Sequence, residues 1–336
     1  MVLALNVLKF NFKEDEKMET GRTKKGWMVL GLIFLMLFFF TGDAFSWQFG
    51  THAYIADHIG RERGLDNINE IYGAIAPDLF NNLFDYPQYL NHLAYETHAN
   101  FLKVWDSARG RLQPPLAYGF VSHGIADLRT HDQAGGYAII KAAEILSRPL
   151  PPELAGPIEA LKLNVPDERI LIEMFHVVVE NAVDILLKRN DDPFIGQKVA
   201  SAAILRSHQL PILLVKAYAS DFASTFGISP LEASKFIVSA EKEFRKSIIF
   251  YGQILMQDER TAIRLISEQT ADAAVGYLGL YGIDLASLFE NEEEIIDLIV
   301  ALTNVAISIC EHDYDDEIAA TIHFVDHQLK VNGITY

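Results

Sequence analysis

Apolar residues recur along this chain mainly at helical spacing, and period-two alternation is scarce. Residues 168–189, ERILIEMFHVVVENAVDILLKR, hold an apolar pattern for several turns. They close on Lys188 and Arg189, basic residues that suit a helix C-terminus. Residues 115–147 read as helical too, with Gly and Ala among larger apolar side chains. Between them, SRPLPPELAGPIEALKLNVPDE is broken by five prolines and reads as an inserted loop with room for one short helix. Residues 196–268 predict two or three further helices. Within them Ser229 suits an N-cap, Pro230 the first helical position, and Glu232 the far side of a capping box. The pattern from 270 onward is again helical, and no internal repeat is visible. The expectation is an all-α, multi-helix bundle.

The apolar run WMVLGLIFLMLFFF, residues 27–40, spans 14 residues. That is short of the about 20 a membrane helix needs, but it suits the core of a signal peptide. Arg22, Lys24 and Lys25 precede it, and Ala44-Phe45-Ser46 offers small residues where a signal peptidase reads. Cleavage after Ser46 is expected, with Met18 as an alternative start and an uncleaved anchor as the competing reading. Residues 1–46 are then a signal peptide, 47–190 a metal-binding catalytic core, and 191–336 a helical extension packed on it. Export, to the periplasm or the medium, follows.

Charge narrows the partners. Residues 1–46 hold six Lys/Arg and five Asp/Glu, so the rest carries 22 against 40, a net charge of −18. Such a surface repels nucleic-acid phosphates rather than gathering them. Cys310 is the single cysteine and cannot form an internal disulfide. An exported chain of this kind must be held by its core, by metal, or by both.

The candidate chemistry lies in two helical stretches. In VSHGIADLRTHDQ, His123, Asp127 and His131 are spaced i, i+4, i+8 and share one helical face among apolar neighbours. Buried polar groups need partners, and a divalent cation satisfies imidazole and carboxylate together. In MFHVVVENAVD, His176 and Glu180 repeat the spacing, and Asp184 continues that face. Two helices with inward His and carboxylate pairs form the usual frame of a metal site in a bundle.

Upstream, WQFGTH places His52 five residues after Trp47, AIAPDLFN carries Asp78, and YETHANFLKVW carries His98. Together these resemble, in order, the motif of the zinc-dependent phospholipase C family, which is related to the fungal single-strand nucleases. The resemblance covers residues 47 to about 190. It implies three Zn2+ ions between the helices. The first would be held by the amine and carbonyl of a mature N-terminal Trp47 with His52 and Asp127. The second would use Asp78, His98, His123 and a bridging Asp127, and the third His131, His176 and Glu180. Asp78 and Asp127 become the catalytic candidates, with Asp78 as a base that orients water. Zinc accepts such N and O donors, and paired metals neutralise an attacked phosphate ester. The Trp47 amine, with a free pKa near 8, gives up its proton cheaply, so cleavage and activity would be coupled.

The pattern departs from the family in places. Fewer residues separate Asp127 from His131 than in the bacterial phospholipases and fungal nucleases, a spacing closer to the metal domain of glycosylphosphatidylinositol-specific phospholipase D. His92 competes with His98 for one ligand place, with His98 favoured. Gly50 and Leu79 stand where the phosphatidylcholine enzymes carry an acidic residue and a tyrosine, so choline recognition by those contacts is not expected. His58 reads as a helix-surface residue. His312, His323 and His327 read as parts of a solvated acidic end.

The leading expectation is an exported zinc hydrolase of phosphodiester bonds, of phospholipase C type, acting on phospholipid or another phosphodiester at a membrane surface. A single-strand nuclease of the same fold and a non-catalytic, metal-stabilised binding protein are the alternatives.

Overall fold

The structure is a computed structural model and describes residues 47–81, 83–130, 136–289 and 291–336. The expected signal peptide, residues 1–46, lies outside the described residues. Among those described, fourteen α-helices occur and no strand, as the apolar spacing requires. In chain order they are α1 (Phe49–Ile59), α2 (Gly64–Ile75), α3 (Pro87–Ala99), α4 (Leu102–Ser107), α5 (Gln113–Thr130), α6 (Tyr137–Ser147) and α7 (Pro152–Asn164). After them come α8 (Glu168–Asn190), α9 (Ile195–Leu205), α10 (Gln209–Phe226), α11 (Pro230–Leu255), α12 (Glu259–Leu280), α13 (Glu292–Cys310) and α14 (Tyr314–Val331). Ala76–Phe80 forms a 3-10 turn after α2.

The caps follow local chemistry. Asp167, Asp258 and Asn291 each accept a backbone N–H from the first turn of α8, α12 and α13. Ser229 and Glu232 form the expected capping box on α11.

Two stretches differ from the sequence expectation. Residues 115–147 are divided between α5 and α6, and Gly136, the N-cap of α6, has extended backbone. The proline-broken insertion is mostly helix α7. Pro152 sits in its first turn, and Leu154, Ile158 and Leu161 bury one stripe that outweighs the cost of Pro157 inside it. The acidic C-terminal stretch follows the helical pattern as α14, in which Tyr314, Ile318, Thr321, Val325 and Leu329 form a buried stripe at helical spacing. Its His323 and His327 are exposed, as is His312 before it.

Among the described helices, α2 and α5 pack closely over much of their length. A Cβ on Gly73 would fall 2.2 Å from the Leu116 carbonyl oxygen, and one on Gly119 would fall 2.0 Å from that of Glu70. Only glycine lets these backbones approach so closely. Helix α8 is buried along most of its length and packs against α6 and α13. The helices after residue 190 share this core. Helix α9 packs on α2 and α11, and α14 on α5 and α1. Buried Arg206 bonds Glu241 of α11 at 2.5 Å, while the Tyr72 hydroxyl of α2 donates to the same carboxylate. Among the described residues no single helix is long and apolar enough to cross a membrane.

Candidate metal centre

Four segments bring polar side chains to one place: α1 with His52, the 3-10 turn with Asp78, α3 with His98, and α5 with His123 and Asp127. His52, His123 and Asp127 offer ligand atoms within 4.8 Å of one another, and so do Asp78, His98 and His123. His123 Nε2 lies 2.9 Å from Asp127 Oδ2, 3.3 Å from His98 Nε2 and 3.6 Å from Asp78 Oδ1. His98 Nε2 is 3.2 Å from Asp78 Oδ1. On the other side, His52 Nε2 is 3.4 Å from Asp127 Oδ1. The two Asp127 oxygens therefore face different histidines. The His52 and His123 rings stack with centroids 3.8 Å apart.

The outer nitrogens explain why these rings point inward. His123 Nδ1 lies 2.7 Å from the Ala74 carbonyl oxygen, and His98 Nδ1 lies 2.8 Å from that of Ala94. A carbonyl only accepts, so each Nδ1 carries the proton and Nε2 is turned to the cluster. This is the arrangement in which a backbone acceptor orients a metal-binding imidazole. The His123 bond depends on the α2–α5 approach, because Ala74 belongs to α2.

Burial and mutual charge set the protonation states. Burial opposes a charge on His123, yet Asp127 and then Asp78 push it up to about 9. Burial and the neighbouring His123 hold His52 down. For Asp127, burial opposes ionisation, but His123 and His52 carry it well below the usual carboxylate range. Asp78 is lowered against the same burial by His123 and His98. Nearly dry histidines and ionised carboxylates at these separations form a donor set that fits a hard or borderline divalent cation.

Helix α8 adds an acidic flank. His176 Nε2 is 3.8 Å from Glu180 Oε1, and His176 Nδ1 is 3.3 Å from Glu173 Oε2. Burial, followed by the charges of Asp127, Asp78 and Asp184, raises Glu180 well above the usual carboxylate range. Glu180 thus belongs to the same electrostatic neighbourhood as the first cluster. His131 lies outside the described residues, so of the third expected ligand set the structure describes only His176 and Glu180.

Trp47 is fully buried and its ring packs 5.8 Å from that of Tyr137. With Asp78 and Glu180 it lines a cleft of about 620 Å3. His92 lies elsewhere, stacked against Phe222 and edge-on to Phe226. His58 is exposed and bonds the Tyr54 carbonyl.

Two residues acquire roles that sequence reasoning left unassigned. Asp184 accepts the Gly50 and Thr51 N–H groups, the Thr51 hydroxyl and the Tyr251 hydroxyl, all at 2.7 to 2.8 Å. It serves as an N-cap for α1 supplied from another helix, and so fixes the turn between Trp47 and His52. A Cβ on Gly50 would lie 2.5 Å from its Oδ2, which leaves no room for an acidic side chain at position 50. Asp184 follows His176 and Glu180 at i+4 spacing, a visible signal, but its partner 133 residues away was not. The second is Asn81, whose amide donates to Asp78 Oδ1 at 2.8 Å and orients that carboxylate.

No family model matches the chain, and the searches of curated proteins and of solved structures returned no similar protein.

Proposed function

We propose that this chain is an exported hydrolase of phosphodiester bonds that works with bound zinc, in the manner of a phospholipase C. The observation that carries the reading is the convergence of His52, Asp78, His98, His123 and Asp127 from four segments, beside a cleft that Asp78, Glu180 and Trp47 line. Zinc bound among these donors would supply Lewis-acid charge to a phosphoryl group and acidify a water.

The chain's own groups have definable tasks. Asp127, with one oxygen toward His52 and the other toward His123, would join two ligand sets. Asp78, held by Asn81, stands at the cleft wall and would orient the attacking water. Trp47, at the same wall, would offer its amine once the preceding residues are removed. His176 and Glu180 would complete a third set with His131.

The lining of the cleft favours lipid over nucleic acid. It includes Asp85, Glu243 and Asp272 beside aromatic rings such as Phe236 and Phe244, and among the described residues no Lys, Arg or His lines it. A polyphosphate strand needs cationic contacts along its backbone, and this surface repels it. A purely structural zinc site would have no use for so large a cleft.

The test is metal analysis of the processed protein combined with turnover of phospholipid vesicles and of single-stranded DNA. About three zinc ions per chain and release of phosphorylated headgroup are expected. Nucleotide release without lipid turnover would put the nuclease first, and metal with neither activity would leave the binding protein.

A further inference from the structure

Beside the cleft lies a second, smaller hollow of about 60 Å3, enclosed by α7, α8, α12 and α13. Phe175, Val178, Tyr277, Leu298 and Leu302 form most of its wall. Its few polar residues are turned to other partners. The Thr270 hydroxyl accepts from Asn181 and donates to the Ile266 carbonyl, and Glu173 reaches toward His176 Nδ1. Such a hollow offers nothing to hydrogen-bond and binds by excluding water.

Its position gives it a use. Val177, Thr270 and Ala273 line both the hollow and the metal-flanking cleft. One turn of α8 separates the hollow's Val177 and Val178 from Glu180 and Asn181 on the cleft. The cleft that Asp78 lines thus borders an apolar recess on the side built by α12 and α13.

We propose that this hollow is a binding site for an unbranched hydrocarbon arm of the phosphodiester substrate, so that α12 and α13 select amphiphilic diesters. This rests on the phosphodiesterase reading above. The site takes the first few methylenes beyond the phosphoester and then fills. Each methylene buried contributes about fourfold in affinity, the ratio that about 0.8 kcal/mol gives.

The experiment uses the zinc-loaded full chain and two series of increasing alkyl length: 4-nitrophenyl alkyl phosphates for turnover, and alkylphosphonates for calorimetric binding. In the native protein kcat/KM and affinity should climb about fourfold per added methylene over the shortest members, then level off. Leu302→Phe, which fills the hollow away from the metal ligands, should flatten both series while leaving the methyl ester's turnover unchanged. Ile299→Phe serves if that variant fails to fold, and the native series decides by itself in any case. Hydrolysis of every ester at one rate, with length-independent binding, overturns the hollow's role and leaves the phosphodiesterase reading intact. Length-dependent phosphonate binding without hydrolysis of any ester upholds the hollow and overturns the catalytic reading.

Discussion

At the scale of single residues, the centre is held by bonds on the side of each ring facing away from it. His123 and His98 are aimed by backbone carbonyls, Asp78 by Asn81, and the start of α1 by Asp184. Loss of an orienting partner at a metal site typically costs about 10–100-fold in affinity, so loss of a ligand should cost more. His123→Ala is expected to lose zinc by more than that factor, whereas His92→Ala, among phenylalanine rings, should keep its full complement. Metal titration with a competing chelator separates the two, and equal retention would remove His123 from the site. Asp184→Asn replaces an acceptor of four bonds by a group whose amide faces donors. Leaving a buried donor unsatisfied costs about 1–3 kcal/mol. Lower thermal stability together with weaker zinc at the His52 side is expected, and unchanged values of both would deny Asp184 its clamping role.

The element that matters most is the α2–α5 pair. Its glycine notches set the distance at which His123 meets Ala74. Gly119→Ala drives a methyl against the Glu70 carbonyl, which is backbone and cannot swing aside. Overpacking of this kind typically costs about 1–3 kcal/mol, or roughly 2–4 °C of melting temperature per kcal/mol in a chain of this size. Calorimetry on Gly119→Ala should show a loss in that range together with lowered zinc content. A destabilised variant that binds zinc normally would show that the helix spacing does not govern the site.

For the whole molecule, stability should respond to both metal and acidity. Ligand binding to the folded state alone stabilises by about 2.7 kcal/mol at a hundredfold excess over the dissociation constant. Chelation should therefore lower the melting temperature by several degrees, and readdition of zinc should restore it. Acidity acts through Glu70, whose carboxyl burial pushes up to about 7 despite the Arg61 N–H bonded to it. Its unfolded value is near 4.3. Between those values the folded chain holds more protons than the unfolded one, so this group's contribution falls as pH rises from about 4.5 to about 7 and is constant above. Glu70→Gln should remove that slope from denaturation curves, and a native slope retained in the variant would assign it to another group.

The apolar spacing alone determined an all-helical chain, because a 3.6-residue stripe can be buried only by a helix. It also located the capping box at Ser229, since that motif is closed within four residues. The polar positions His52, Asp78, His98, His123 and Asp127 were legible as breaks in apolar or helical context. That they meet was not, because separations of up to 75 residues are closed only by packing. Where local signals compete with burial the reading is harder: five prolines suggested a loop with one short helix between residues 147 and 168, but a buried stripe makes most of it, 152–164, helix. Asp184's reach to α1, the placing of His98 rather than His92 in the polar cluster, and the apolar hollow between α8, α12 and α13 depend on distant helices meeting. No local pattern encodes such meetings, so only the tertiary structure decided them.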